Sequence, residues 1–350
     1  MIYLELSLIF FLATAVSLTV FMTVYLMIRR KRRIKYTKWN LMADLLIRKA
    51  IFIDKDTDHA VVPVTTRLSR LINNRRFRHH LTKKIISASR SLSGQSAKNL
   101  RALYLQLNLD KFALEMLNSG KWHIKAQAIQ QLGVIGLTSH LASIYRYTND
   151  KNELIRIEAQ ISVLKLYGFE GLRFLDVVSY QISEWQQILL LKELSLLPHT
   201  NLTGIEKWLA SDNSSVVIFA LKLARNYHHF ELYDTIVTCL DHPDAKVRIQ
   251  TIYTLTEIYT EGTSARLIAI FQNEPIDIQL VIMKALKKIA GEDDLPALLR
   301  FINAGNPELQ LTVLRTIANI DNGMPEILNH PMAESYPMKE MIAHIKSEKA

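Results

Sequence analysis

The chain has 350 residues, 49% of them apolar, with only 11 glycines and 9 prolines; this allows a sizeable core and excludes collagen-like or long disordered stretches. The single cysteine, Cys239, excludes an intramolecular disulfide and a cysteine-based zinc cluster, and it fits a reducing compartment. The net charge of +10 is uneven: residues 29–90 carry 18 Lys or Arg against four Asp, whereas residues 91–350 carry 25 bases against 28 acids, so a near-neutral body is joined to a strongly basic neck.

Residues 6–28, LSLIFFLATAVSLTVFMTVYLMI, contain no charge. A helix of that length is roughly 34 Å long, enough to cross a hydrocarbon layer with some tilt. Its hydroxyls are tolerable there because each can bond back to a carbonyl one turn earlier. Arg29, Arg30, Lys31, Arg32, Arg33, Lys35 and Lys38 follow at once. Positive charge after the apolar run predicts a retained transmembrane helix with the N-terminus outside and the body in the cytoplasm. A cleaved signal carries its bases before the run instead. Trp39, just past the cluster, is expected at headgroup level.

The neck holds seven Lys or Arg between Arg67 and Lys84 and no acid, including Arg75, Arg76, Arg78, Lys83 and Lys84. Leu68, Leu71, Ile72, Phe77, Leu81, Ile85 and Ile86 interleave with them. Either this segment lies on anionic lipid or it is a helix with a solvated basic face. Nucleic-acid binding is a third use of such a patch, which the adjacent membrane segment makes the less economical account.

From residue 92 the dominant signal is a repeat. Segments beginning at Leu209, Leu240, Phe271 and Ile302 are 31 residues apart and share a stripe. Its eighth position is Val216, Val247, Ile278 and Leu309; its tenth is Ile218, Ile249, Leu280 and Leu311. The thirteenth is Leu221, Ile252, Met283 and Leu314, and the sixteenth Ala224, Leu255, Leu286 and Ile317. These are expected on one broad helical face. Asp212-Asn213, Pro243-Asp244, Pro275 and Asn306-Pro307 precede the stripes and read as helix starts. A second short apolar pattern follows each stripe, so each unit is two antiparallel helices that bury their faces only by stacking. The same offsets fit Ile124, Ala126, Ile129 and Leu132; the unit at Ile155 is degenerate, and residues 185–197 occupy the next place without a polar turn.

Pro243-Asp244 with Val247-Arg248, Pro275 with Ile278, Asn306-Pro307 with Leu309, and the echo Ile155-Arg156 resemble HEAT repeats over roughly residues 92–321. Gln279 and Gln310 depart from the pattern where its usual Arg is absent. The resemblance implies a protein-binding scaffold; a few relatives bind DNA or act as lyases on chromophores, and membrane-anchored members occur in bacteria, which the whole chain looks like.

The expected fold class is therefore all-α, an N-terminal transmembrane helix followed by an α-α superhelix. Its expected parts are an anchor over 1–28, a basic and partly helical neck over 29–91, about seven units over 92–321, and a tail over 322–350 that breaks the pattern and closes with a short helix.

Chemistry-bearing sets are sparse. Nucleotide-loop, nucleophile-elbow and metalloprotease motifs are absent from the sequence. His228, His229, Glu231, Cys239 and His242 are the nearest to a metal set, but Cys239 sits in the apolar run TIVTCL and reads as core. Glu292-Asp293-Asp294 read as a helix cap; Trp122 and Trp208 read as buried against neighbouring helices, with a place on a binding surface as the alternative. No catalytic, cofactor or metal residues are expected. The expected function is a cytoplasmic scaffold tethered in a bacterial inner membrane, without catalysis of its own, binding a membrane-associated protein and anionic phospholipid. The alternatives are nucleic-acid or lipid binding through the neck as the main activity, and an enzyme with a pocket on the concave face. The slightly acidic body argues against nucleic acid.

Overall fold

The computed structural model describes residues 2–52, 62–197, 204–303 and 305–349. The chain is all-α, with no strand among the described residues. It forms two compact units, Met1–Gly171 and Leu172–Ala350.

The first unit opens with α1 (Ile2–Ile51), an unbroken helix of 50 residues, roughly 75 Å long. Its sequence contains no Gly or Pro to interrupt it. Thr14, Thr19 and Thr23 donate their hydroxyls to the carbonyls of Phe11, Ala15 and Val20 at 2.7–2.8 Å, so these polar groups are satisfied within the helix. From Phe10 to Lys38 the side chains are exposed. Beyond that point α1 becomes one-sided: Trp39, Ala43, Leu46, Ile47 and Ala50 are buried, a spacing that lines one helical face.

That face packs against α3 (Arg75–Ser89) and α4 (Gly94–Gln106), after the short α2 (Thr66–Ile72). The same core takes in α5 (Leu109–Leu117), α6 (Trp122–Ile135), α7 (Leu141–Tyr145) and α8 (Glu153–Tyr167). The neck's Leu68, Phe77, Leu81, Ile85 and Ile86 are buried here, so the neck is packed into the first unit rather than set apart from it. Helices α6 and α8 approach each other closely at Gly133. A Cβ placed on Gly133 would stand 2.6 Å from Ser162 Cβ and 3.0 Å from Ser162 Cα; only a residue without a side chain lets the two helices come this near.

The second unit pairs short helices with long ones. After α9 (Glu184–Leu194), the pairs are α10 (Ile205–Leu209) with α11 (Ser214–Asn226), α12 (Tyr233–Thr238) with α13 (Ala245–Glu257), α14 (Thr263–Ile270) with α15 (Ile276–Ile289), and α16 (Leu295–Leu299) with α17 (Pro307–Ala318). The long helices α11, α13, α15 and α17 pack in succession, and α18 (Gly323–Asn329) and α19 (Met338–Lys349) follow, α19 lying on α17.

The repeat is more regular in its caps than in its stripes. The N-cap residues of α6, α8, α9, α11, α13, α15 and α17 are Lys121, Asn152, Ser183, Asn213, Asp244, Pro275 and Asn306, at intervals of 31, 31, 30, 31, 31 and 31 residues. Asn152, Ser183, Asn213, Asp244 and Asn306 accept bonds from the first-turn amides, which have no partner inside the helix. Ser183 thus supplies the polar start expected to be absent ahead of residues 185–197. Pro337 falls 31 residues after Asn306 and immediately precedes α19, so the tail continues the register instead of breaking it.

Within each long helix the eighth, thirteenth and sixteenth stripe positions are buried to 3% exposure or less. The tenth is not: Ile218, Ile249, Leu280 and Leu311 are only half-buried. Two residues of helix turn about 200°, so the tenth position points away from the eighth. Buried hydroxyls tie neighbouring long helices together. Ser162 Oγ donates to Ile129 O, Thr254 Oγ1 to Leu221 O, and Thr316 Oγ1 to Met283 O, at 3.3, 3.1 and 3.1 Å.

The fourth residue after the cap closes the preceding loop. Arg156 Nη1 donates to Asp150 O and Lys151 O at 2.8 and 3.1 Å, and Arg248 Nη1 to His242 O and Pro243 O at 2.9 and 3.2 Å. Gln187 donates to Ile182 O and Gln279 to Phe271 O. Glutamine at these two places reaches loop carbonyls as the arginine does, which is why the departure at Gln279 leaves the stacking intact.

Candidate functional site

Two surfaces carry the residues singled out by sequence. The first is the basic end of the first unit. Arg29, Arg30, Lys31, Arg32, Arg33, Lys35 and Lys38 are exposed on α1, between its apolar stretch and its packed face. Lys35 Nζ lies 4.8 Å from the centre of the Trp39 ring. Trp39 itself is 4% exposed and packs edge-on against Phe77 at 5.5 Å; it is a core residue, not a headgroup anchor, because α3 covers it.

Helix α3 runs parallel to the packed part of α1. The contacts Trp39–Phe77, His80 Nε2–Asn40 Oδ1 at 2.9 Å and Lys84 Nζ–Asp44 Oδ1 at 3.1 Å advance together along both helices. The start of α3 therefore lies toward the apolar half of α1. Five basic residues of α3 were singled out together, and the structure separates them. Lys84 is held by Asp44. Arg78 is half-buried, with its guanidinium 4.6 Å from the Phe112 ring centre. Arg75, Arg76 and Lys83 are exposed. The side chain of Arg67 lies outside the described residues. Burial, with Lys84 next in effect, pushes His80 below the ordinary histidine range, and its Nε2 stands 2.9 Å from Asn40 Oδ1.

The second surface is the outward face of the long helices in the second unit, which sequence reading counted as packing. Five residues after each cap stand Ile188, Ile218, Ile249, Leu280 and Leu311, none of them buried. Nine residues after each cap stand Lys192, Lys222, Tyr253, Lys284 and Arg315. An apolar row thus runs beside a largely cationic one. A cavity of ≈ 670 Å³ opens on this face across α9, α11 and α13, lined among others by Glu184, Gln187, Ile218, Lys222, Lys246 and Tyr253. Lys222 Nζ donates to Gln187 Oε1 at 2.8 Å. Burial lowers its pKa, Glu184 opposing and Arg225 adding to the effect.

The isolated candidates resolve individually. Among the described residues no three His, Cys, Asp or Glu side chains converge as a metal cage would require. Cys239 is buried, and burial pushes its thiol up, away from the reactive thiolate. His229 Nδ1 pairs with Glu231. Asp294 accepts from Gly291 N at 3.0 Å, ahead of α16. Trp208 is 4% exposed and donates to Asp176 Oδ1 at 2.7 Å. Trp122, in contrast to the burial expected of it, is 48% exposed at the first position of α6, where no preceding turn covers it.

No family model matches the chain, and no curated protein matches it. Among solved structures, it is similar to a chain of the CpcE–CpcF complex of phycocyanin lyase from Nostoc sp. PCC7120, at 13% identity over 84% of this chain and 98% of that one, with a TM-score of 0.25. It is similar to human deoxyhypusine hydroxylase in complex with glycerol, at 15% identity over 82% and 98%, TM-score 0.31. A chain of the Kap95p–RanGDP complex matches at 12% identity over 90% of this chain and 47% of that one, TM-score 0.36. The architecture described above rests on the chain's own helices, caps and packing.

Proposed function

We propose that the chain is a membrane-tethered scaffold without catalysis of its own, anchored in a bacterial inner membrane by the first half of α1 and receiving a protein partner on the outward face of its long helices. The observation that carries this reading is the course of α1. It contains an apolar window of mean hydropathy 2.1, none of it buried, then a run of cations, then a face packed into the first unit, all in one helix. A soluble protein leaves no such length of apolar helix exposed to water. Lipid covers it at no cost, and the cations hold the body on the cytoplasmic side. A repeated apolar row beside a cationic one offers an extended surface to a partner with apolar and acidic groups.

Two measurements on the full chain test this. Alkaline carbonate extraction of bacterial membranes should leave the chain in the pellet, with a C-terminal green fluorescent fusion bright in the cytoplasm. Replacing Arg29, Arg30, Lys31, Arg32 and Arg33 by Gln should produce a dark, inverted fraction. Purification in mild detergent should bring down one stoichiometric protein, lost on changing Ile218, Ile249 and Leu280 to Asp. Extraction by carbonate, or a chain that purifies alone, overturns the reading.

A further inference from the structure

Beside the start of α3 lies a cavity of ≈ 410 Å³. Its rim carries Arg75, Arg76 and His79 from α3 and Tyr36 from α1; its floor is apolar, made by Phe112, Met116 and Ile124 with Gln127 at the edge. Among the described residues no carboxylate lines it, and the first turn of α3 contains no acid. Arg78 lies over the ring of Phe112, 4.6 Å from its centre, and is not among the lining residues.

The position of this cavity follows from α1. Tyr36 is eight residues past Ile28, about 12 Å along the helix axis. The headgroup layer on each side of a bilayer is about 5–8 Å thick. Long arginine side chains extending toward the apolar end of α1 bridge the remaining distance. The lining brings together what a phospholipid headgroup needs: cations for a phosphate, a tyrosine and a histidine for its polar neighbours, and apolar side chains for the adjoining carbons. We propose that this cavity is a binding site for the phosphate headgroup of one anionic phospholipid, distinct from the diffuse attraction of the Arg29–Lys38 cluster. The proposal rests on the reading of α1 as a membrane span.

The test uses the full chain in a non-ionic detergent micelle, with dioctanoyl phosphatidylglycerol as the probe and the thermal midpoint as the readout, since a ligand that binds only the folded chain raises it with concentration. Phosphatidylglycerol should raise the midpoint; dioctanoyl phosphatidylcholine and inorganic phosphate at equal concentration should not. Arg75→Gln with Arg76→Gln should weaken the effect about ten-fold or more. Lys83→Gln, on the same helix but away from the cavity, should leave it within about two-fold. Should the double substitution unfold the chain, Gln127→Trp, which fills the cavity and removes no charge, must abolish the shift.

An equal shift with inorganic phosphate overturns the lipid as source. An equal loss in Lys83→Gln overturns a defined site in favour of diffuse charge. Tight binding of a DNA duplex lost in the Arg75/Arg76 variant makes the patch a nucleic-acid surface instead. Carbonate extraction reports the span and the soluble lipid reports the cavity, so each reading fails on its own measurement.

Discussion

Arg248 joins two repeats through four hydrogen bonds. Its Nη1 closes the loop before its own helix, while Nε and Nη2 bind both oxygens of Glu274 at 2.8 and 3.0 Å. Both side chains are mostly buried, with 18% and 10% exposure. Removing the arginine strands a buried carboxylate and two loop carbonyls, so Arg248→Ala is expected to lower stability by about 3 kcal/mol. Lysine cannot reproduce the fork, so Arg248→Lys should recover less than half of that. Urea unfolding of the two variants measures both. His80 gives a second expectation. Its folded pKa lies below the unfolded value, so its contribution is full above about pH 6.5 and is lost as pH falls through the folded value. Its charged surroundings are Lys84, Asp44, His79 and Lys83. The melting midpoint of the wild type should therefore drop further between pH 7 and pH 5 than that of His80→Gln, which keeps a donor for Asn40. Parallel pH profiles would refute this assignment.

Between elements, contact is set by what is small as much as by what is apolar. At Gly133 an alanine must push against the Ser162 backbone, 3.0 Å away. Gly133→Ala should cost about 1–3 kcal/mol by overpacking, and adding Ser162→Gly should return part of it; additive losses in a double-mutant cycle would disprove the contact. The eighth, thirteenth and sixteenth stripe positions were legible as core because they recur every 31 residues and share a helix face. The tenth has the same apolar identity but a different angle, about 200° round the helix from the eighth, and identity alone does not separate the two. Ser183 was missed because its spacing slips to 30 and a serine alone is a weak cap signal. The tail's prolines suggest a break, yet Pro337 stands just ahead of α19 as Pro275 stands ahead of α15, where a missing N–H costs nothing. α19 buries Met338, Ile342 and Ile345 and leaves Lys339, Glu340, Lys346 and Ser347 exposed.

Across the molecule, the basic residues were legible as composition but their division of labour was not. Lys84 and Asp44 are 40 positions apart in sequence, and Arg78 meets Phe112 from α5; the register of α3 against α1 and its contact with α5 separate tied cations from exposed ones. The expected division at residues 28 and 91 also reflected composition, whereas the chain crosses both points within its first compact unit. Composition marks where charge and apolar residues change, and helices do not end at those changes unless a cap, a glycine or a proline makes them.

The absence of a joint in α1 sets an angular relation as well as a height. A rod of this kind turns about 100° with each added residue. Seven extra alanines after Ile28 would lift the first unit by about 10 Å yet rotate it by only about 20° from its present azimuth; five would lift it less, about 7.5 Å, and swing it by about 140°. If the partner is itself embedded in the bilayer, recovery of the complex should survive the longer insertion better than the shorter one. The order of those two yields, inverse to their lengths, would be the signature of a compass bearing carried through the lipid by a single helix.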